Sequence, residues 1–407
     1  MLAAILLPSL AWADDFRLLP SIMQTLQYND NIFITPTAKV HDFISTTTGG
    51  LEVYEAREQF SLDVSGQLRE NLYEKNTGAD STDGVGNGSV RYSVNPQLSL
   101  SGSASYSHVS TPDQLLLTTG LVLNGVTLDT SAYHAEADYV LTEKTTASLS
   151  YDYGMLHYQS SAFTDQTTNT GTLAFSHDLG QYVPQLKGLL NMSYSDYTLT
   201  GQDIKNYEAT TGFSYPLEEK WAVQVTAGLR RTDSSFETFV PTGIFFVIPA
   251  GSFAQLVEQT ESTSGWGGVG QGAISYQGEV TNASFSASRG LAPAAGQNGT
   301  VETTSFMLSA DRRFTYDLHG TVSTGFFINK SGAGQFATAP INFETINFAP
   351  ALRYEFGHER PGGSQYARDM FVEASYTFTR IENKETNTTG NRNLFMIRFF
   401  AQHALLE

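Results

Sequence analysis

Alternation with a period of two constrains this chain more than any motif does. Between Leu98 and Ser107, Leu98, Leu100, Gly102, Ala104 and Tyr106 alternate with five serines, so a strand here carries an apolar row on one face and a hydroxyl row on the other. The stretch 133–141 repeats the pattern, with Tyr133, Ala135, Ala137, Tyr139 and Leu141 opposed to His134, Glu136 and Asp138. The second face is therefore wet enough to hold charge. The pattern recurs along nearly the whole sequence with few helical interruptions, and the apolar rows tend to end in Tyr, Phe or Trp, as expected of strands that cross a lipid interface.

Composition narrows the class. No apolar run reaches the ~18 residues of a spanning helix, yet 407 residues without a Pro/Ser-rich linker are too many for one small β-domain. One large sheet closed on itself is the better solution, because closure removes both edges. A formal charge of -18 argues against a nucleic-acid partner, which calls for a basic stripe. With Cys 0 there is no disulfide or thiolate chemistry. The first 13 residues read as a secretory signal, an apolar run followed by Ala11-Trp12-Ala13 with cleavage expected before Asp14, although a basic start is missing. Residues 14–407 are expected to form a single barrel domain that meets outer-membrane lipid and the barrel assembly machinery.

Taken in order, the alternating stretches are 16–28, 46–56, 60–73, 89–94, 98–109, 133–141, 147–158, 170–178, 187–197, 207–215, 221–230, 264–276, 281–289, 303–312, 318–329, 341–354, 370–380 and 393–400, about 18 strands of an all-β, up-and-down antiparallel transmembrane barrel. The short connections 57–59, 95–97, 142–144, 216–220 and 277–280 are assigned to the periplasmic end, with both termini. Residues 111–128, 235–261 and 381–391 are read as outward loops. The loop 235–261 contains the apolar run Ile244-Phe245-Phe246-Val247-Ile248, read either as folding into the barrel mouth or as part of a longer hairpin. The connection 357–367 is long for the periplasmic end. The last strand alternates Phe395, Ile397 and Phe399 with Met396, Arg398 and Phe400, and seven further residues follow it as a tail.

At Leu26-Gln27-Tyr28-Asn29-Asp30-Asn31-Ile32-Phe33 the sequence resembles the opening signature of the type-2 outer-membrane β-barrel porin family, whose members are often encoded beside exopolysaccharide genes. The resemblance implies a barrel of roughly 18 strands, linked in several members to polysaccharide export. That family has no catalytic residues to carry over.

Local motifs add little chemistry. The run Gly265-Trp266-Gly267-Gly268-Val269-Gly270 contains G-x-G-x-x-G, but no βαβ unit surrounds it, and glycine in a barrel strand rather permits close approach of a neighbour. The eight histidines lack metal-ligand spacing, so neither a metal nor another cofactor is expected. Rim groups such as His108 with Ser110, or His157 with Asp152, are the only candidates for barrel-enzyme chemistry, and the chain is read as a non-enzyme. By alternation Glu52, Asp63, Glu136, Asp138, Asp152, Glu208, Asp311 and Glu373 point inward with Arg69, Arg91, Arg230, Arg353 and Arg398. They either pair along the wall and select nothing, or form a mixed-charge, hydroxyl-rich channel for a hydrated polysaccharide or small solute. The favoured expectation is a conduit in exopolysaccharide export, with periplasmic export components docking on 357–367. The alternative is a general or solute-specific diffusion porin for small nutrients; an adhesin or structural barrel ranks third.

Overall fold

A computed structural model describes residues 15–110, 126–161, 163–248, 251–293, 299–332, 340–356 and 368–405. The expected signal segment, most of 111–128 and the connection 357–367 lie outside these residues. Eighteen antiparallel strands follow one another around a single closed sheet: β1 (Asp15–Asn29), β2 (Asp42–Ala56), β3 (Phe60–Tyr73), β4 (Ser81–Asn95), β5 (Leu98–Val109), β6 (Leu128–Thr142), β7 (Thr145–Tyr158), β8 (Gln166–Asp178), β9 (Lys187–Leu199), β10 (Gln202–Glu218), β11 (Trp221–Ile248), β12 (Gly251–Gln277), β13 (Thr281–Pro293), β14 (Thr300–Arg313), β15 (Leu318–Ser331), β16 (Ile341–Phe356), β17 (Arg368–Asn383) and β18 (Thr388–His403). Closure comes from β1, which pairs with β2 on one side and with β18 on the other, from Ser21↔Gln402 to Asn29↔Leu394.

Register carries the alternation around the ring, since residues paired across antiparallel strands share a face. One face holds Ile22, Leu68, Leu100, Leu149, Met192, Leu229, Leu352 and Ile397, all more than a third exposed. So much contiguous apolar surface is stable only against lipid. Aromatic residues bound this belt, including Tyr92, Tyr139, Trp221 and Tyr354 at the end with short turns and Phe43, Tyr106, Tyr207 and Trp266 at the other. An even-stranded single-chain barrel with such a belt is of the outer-membrane type. Its short-turn end is the periplasmic one, and no helix among the described residues is long and apolar enough to cross a membrane.

Three expectations about connections change. Residues 235–261 are not a loop: β11 and β12 continue through them, paired up to Ile248↔Gly251, so the run 244–248 belongs to a long hairpin above the belt. Residues 381–391 are mostly strand as well, with only 384–387 between β17 and β18. The presumed tail is in part the end of the last strand, where Ala401 pairs with both Ile22 and Met370. At 381–391 the strand is hidden from the sequence because nearly every residue is polar, so no apolar row alternates with a polar one.

Candidate functional site: the lumen and its constriction

Strand register puts all thirteen sequence-predicted residues on the face opposite the apolar belt. Two groups of them are brought together. Glu373 accepts from Arg353 at 2.9 and 3.1 Å and from Arg398 at 3.0 Å, joining β16, β17 and β18, while the Arg353 guanidinium lies 4.1 Å from the centre of the Phe371 ring. Asp152 and Glu136 flank His134, at 2.7 and 3.5 Å. Glu208 accepts from Asn206 at 2.7 Å, and Asn206 in turn accepts from Thr232 at 2.8 Å. Asp138 is bonded by Ser148 and lies 3.5 Å from Ser99. Glu52, Asp63, Arg69, Arg91 and Asp311 enter no ion pair among the described residues. Inward serines and threonines form a hydroxyl-rich arc between these groups: β5 and β8 put Ser or Thr at most inward positions, and β7 and β9 add Thr146, Ser148, Ser150, Ser193 and Ser195.

Burial divides the lumen along its axis. On β10 the inward series runs from Gln202, Ile204 and Asn206, all buried, to Glu208, Thr210 and Ser214, partly exposed; on β4 it runs from buried Asp83 to exposed Asn87, Ser89 and Arg91. Tyr197, Leu199 and Ile204 form an apolar cluster inside the outer end, and Val301 with Ile341 forms another. The periplasmic half is thus wet and the outer half is packed.

Two elements do the packing. In the first, Ile32 and Ile34 of the β1–β2 connection are buried, and Ile34 sits against Gly390, whose missing side chain points inward. Ile34 has φ 50°, a costly conformation for a β-branched residue. The motif before it holds it there. Asn31, wholly buried, donates to Thr35 O and Asn391 O at 2.9 Å each and accepts from Thr35 N at 3.1 Å. Asp30 accepts from both the backbone N and the side-chain amide of Asn393, each at 2.6 Å. The Asn29-Asp30-Asn31 signature is therefore a latch between the first strand and the last.

The second element is the upper part of the β13–β14 hairpin. Pairing between β12 and β13 runs only from Gln277↔Asn282 to Gly270↔Arg289, whereas β13 stays paired with β14 up to Pro293↔Thr300. Above that point the hairpin leaves the wall and enters the lumen. Leu291 packs on Tyr197, Leu199 and Ile204, and Glu302 accepts from Arg230 Nη2 at 2.8 Å. In an unbroken wall β11 and β14 are three strands apart, about 14 Å. Arg289 also bonds Glu302. Arg230 is almost fully buried, Glu302 about a fifth exposed (22%) and Arg289 more than half (55%). Gly267 is the inward neighbour of Arg230, and a Cβ there would collide with the guanidinium. The glycine run thus does permit close approach.

Sequence reasoning missed Glu302, Arg289 and Asn206, and read His134 only as part of the polar face. One signal was available: Arg289 and Glu302 fall at positions whose strand neighbours, Ala287 and Phe306, face lipid. The rim pairs also differ from expectation. Asp152 faces inward to His134, whereas His157 faces outward and bonds Asp165 at 2.6 Å, and His108 bonds Asp129 at 2.6 Å on that same outer surface. No His157–Asp152 pair forms because the two residues lie on opposite faces. Lys384, in the β17–β18 turn, is held above the ordinary ammonium range by Glu382 and then Glu344.

No protein-family model matches the chain, and no curated protein does. Solved structures with a similar arrangement of strands include OccK2 (OpdF) of Pseudomonas aeruginosa, with a TM-score of 0.45 at 9% identity over 97% of this chain and 99% of that one. Two others from that organism are OpdK with vanillate (0.44, 9%, 96% and 99%) and OpdL (0.43, 12%, 96% and 99%). The likeness is one of strand arrangement.

Proposed function

We propose that the chain is an outer-membrane diffusion channel for small polar solutes, with its selectivity set where the β13–β14 hairpin meets the wall. The observation that carries this reading is the axial division of the lumen: a wet, hydroxyl-lined periplasmic half below an outer half narrowed by the hairpin and the β1–β2 connection. Serine, threonine and asparagine groups exchange hydrogen bonds with a hydrated solute without holding it, and the ion pairs Arg353–Glu373–Arg398 and Arg230–Glu302–Arg289 offer both signs of charge at fixed positions. Glu52, Asp63, Arg69, Arg91, Glu136, Asp138, Asp152, Glu208 and Asp311 complete the lining in this reading.

A conduit for a polymer needs a wide bore, and elements packed inside the outer end work against it. The export reading therefore gives way to diffusion of small solutes. Its other support, the connection 357–367, lies outside the described residues.

The test is reconstitution of the purified barrel in vesicles and planar bilayers with neutral sugars of graded size. Stable single-channel conductance, with mono- and disaccharides admitted and oligosaccharides excluded, is expected. Passage of long polymers, or no conductance above that of the bilayer, would sink the reading.

A further inference from the structure

Where β12 and β13 part, they do so inside the membrane. On β12 the outward aromatics Tyr276, whose ring lies 4.9 Å from that of Trp221, and Trp266, 74% exposed, are ten residues apart. At about 3.3 Å per residue and a tilt of roughly 40°, that is ~25 Å, the height of the apolar belt. Pairing stops at Gly270, about 15 Å above Tyr276 by the same conversion, so the last part of the belt, at the level of the outer leaflet, has no β12–β13 seam. Among the described residues nothing pairs with the free edge of β12 from Gly265 to Val269. Lipid cannot satisfy backbone N–H and C=O groups, and such an edge is tolerated at this depth only where it is buried in protein or lines a wet cavity; Gly268 on this edge is exposed.

Between the outward Trp266 above and Arg289 below, the outward positions beside this edge are Gly268 and Gly270, with Gly272 opposite Ala287 beneath them, so the large side chains stand at the two ends of the gap and glycine between them. Its inner floor is the pair Arg230–Glu302, and Arg289, on the outward row by register, bonds Glu302 at the lower end of the gap. Arg230 is consumed by Glu302, and Glu208 on the next inward row is engaged by Asn206, which leaves Arg289 as the cation presented to the gap. We infer that the barrel has a lateral opening between β12 and β13 at the level of the outer leaflet, through which an amphiphile with an anionic head passes between the membrane and the lumen.

The chain's lack of cysteine makes the test direct. Three single-cysteine variants are placed in vesicles: Gly265→Cys on the inner face beside the gap, Ser103→Cys on the inner face of β5 in an intact wall, and Gly268→Cys on the outer face. A Cβ meets nothing within 4 Å at either Gly265 or Gly268, and folding of each variant is verified by heat-modifiable migration. A maleimide confined to the acyl-chain region should label Gly268→Cys and also Gly265→Cys, the latter at least tenfold faster than Ser103→Cys. A water-soluble maleimide should label both inner-face variants. Labelling of Gly265→Cys by the membrane-confined reagent no faster than Ser103→Cys, with Gly268→Cys labelled, overturns the opening. Palmitate should slow Gly265→Cys labelling at least threefold and hexadecanol should not; equal protection by the two overturns the anionic head. Axial conductance is read separately, so failure of the diffusion reading leaves this result distinguishable.

Discussion

Two seams of this barrel are built in opposite ways. The β1–β18 seam joins residues at opposite ends of the chain and is paired from Ser21↔Gln402 up to Asn29↔Leu394 at the outer end of β1, where Asp30 and Asn31 fasten it. The β12–β13 seam joins neighbours in sequence, yet it is paired only over its lower half and then parts. Loop-closure entropy opposes the first and hardly touches the second, so proximity along the chain does not decide which seam holds. What decides is the residues at the outer end. Amides that exhaust their hydrogen bonds lock one seam; glycines that leave room for an arginine release the other.

The comparison breaks most easily at Gly390. A Cβ there would strike the Ile34 carbonyl, so Gly390→Ala should cost about 3 kcal/mol, as overpacking of a closed site does, and lower the temperature at which the folded gel band disappears. Asn31→Ala should follow at about 2 kcal/mol, because it leaves buried backbone partners unmade. If either variant unfolds with the wild type, the latch is not what closes the barrel. At the other seam Glu302→Ala should cost less, about 1.5 kcal/mol, since Glu302 is partly solvated and Arg230 is the buried partner. It should instead raise single-channel conductance at least twofold as the hairpin loosens; unchanged conductance would mean that the hairpin does not constrict the channel.

The sequence made some of this legible and not the rest, for physical reasons. Period-two alternation is local, so eighteen strands and the inward set from Glu52 to Arg398 follow from neighbouring residues alone. The signature at Asn29–Asn31 was legible as a turn but not as a latch, since its partners Asn391 and Asn393 lie at the far end of the chain. Most instructive is the element inside the lumen. The apolar run 244–248 drew attention as a candidate for the mouth, while the segment that enters it, around Leu291 and Glu302, looked like ordinary strand. Its only mark was charge at lipid-facing positions. That mark becomes interpretable once the register shows β12 and β13 parting below it.

A small effect sharpens the contrast from the lipid side. Ile397 faces outward on β18 with no part in the latch, and Ile397→Ala should shift stability by no more than about 0.5 kcal/mol. A shift as large as that of Asn31→Ala would show that the β1–β18 seam is held by its apolar belt rather than by its outer amides.

The central claim is that the β13–β14 hairpin docks on the inner wall three strands away, through Arg230 and Glu302. A double-mutant cycle with Arg230→Met and Glu302→Gln, read as unfolding free energy in detergent, tests it most directly. Docking predicts a coupling of about 1.5 kcal/mol between residues 72 positions apart. Additivity within about 0.3 kcal/mol would place the hairpin elsewhere and contradict the account.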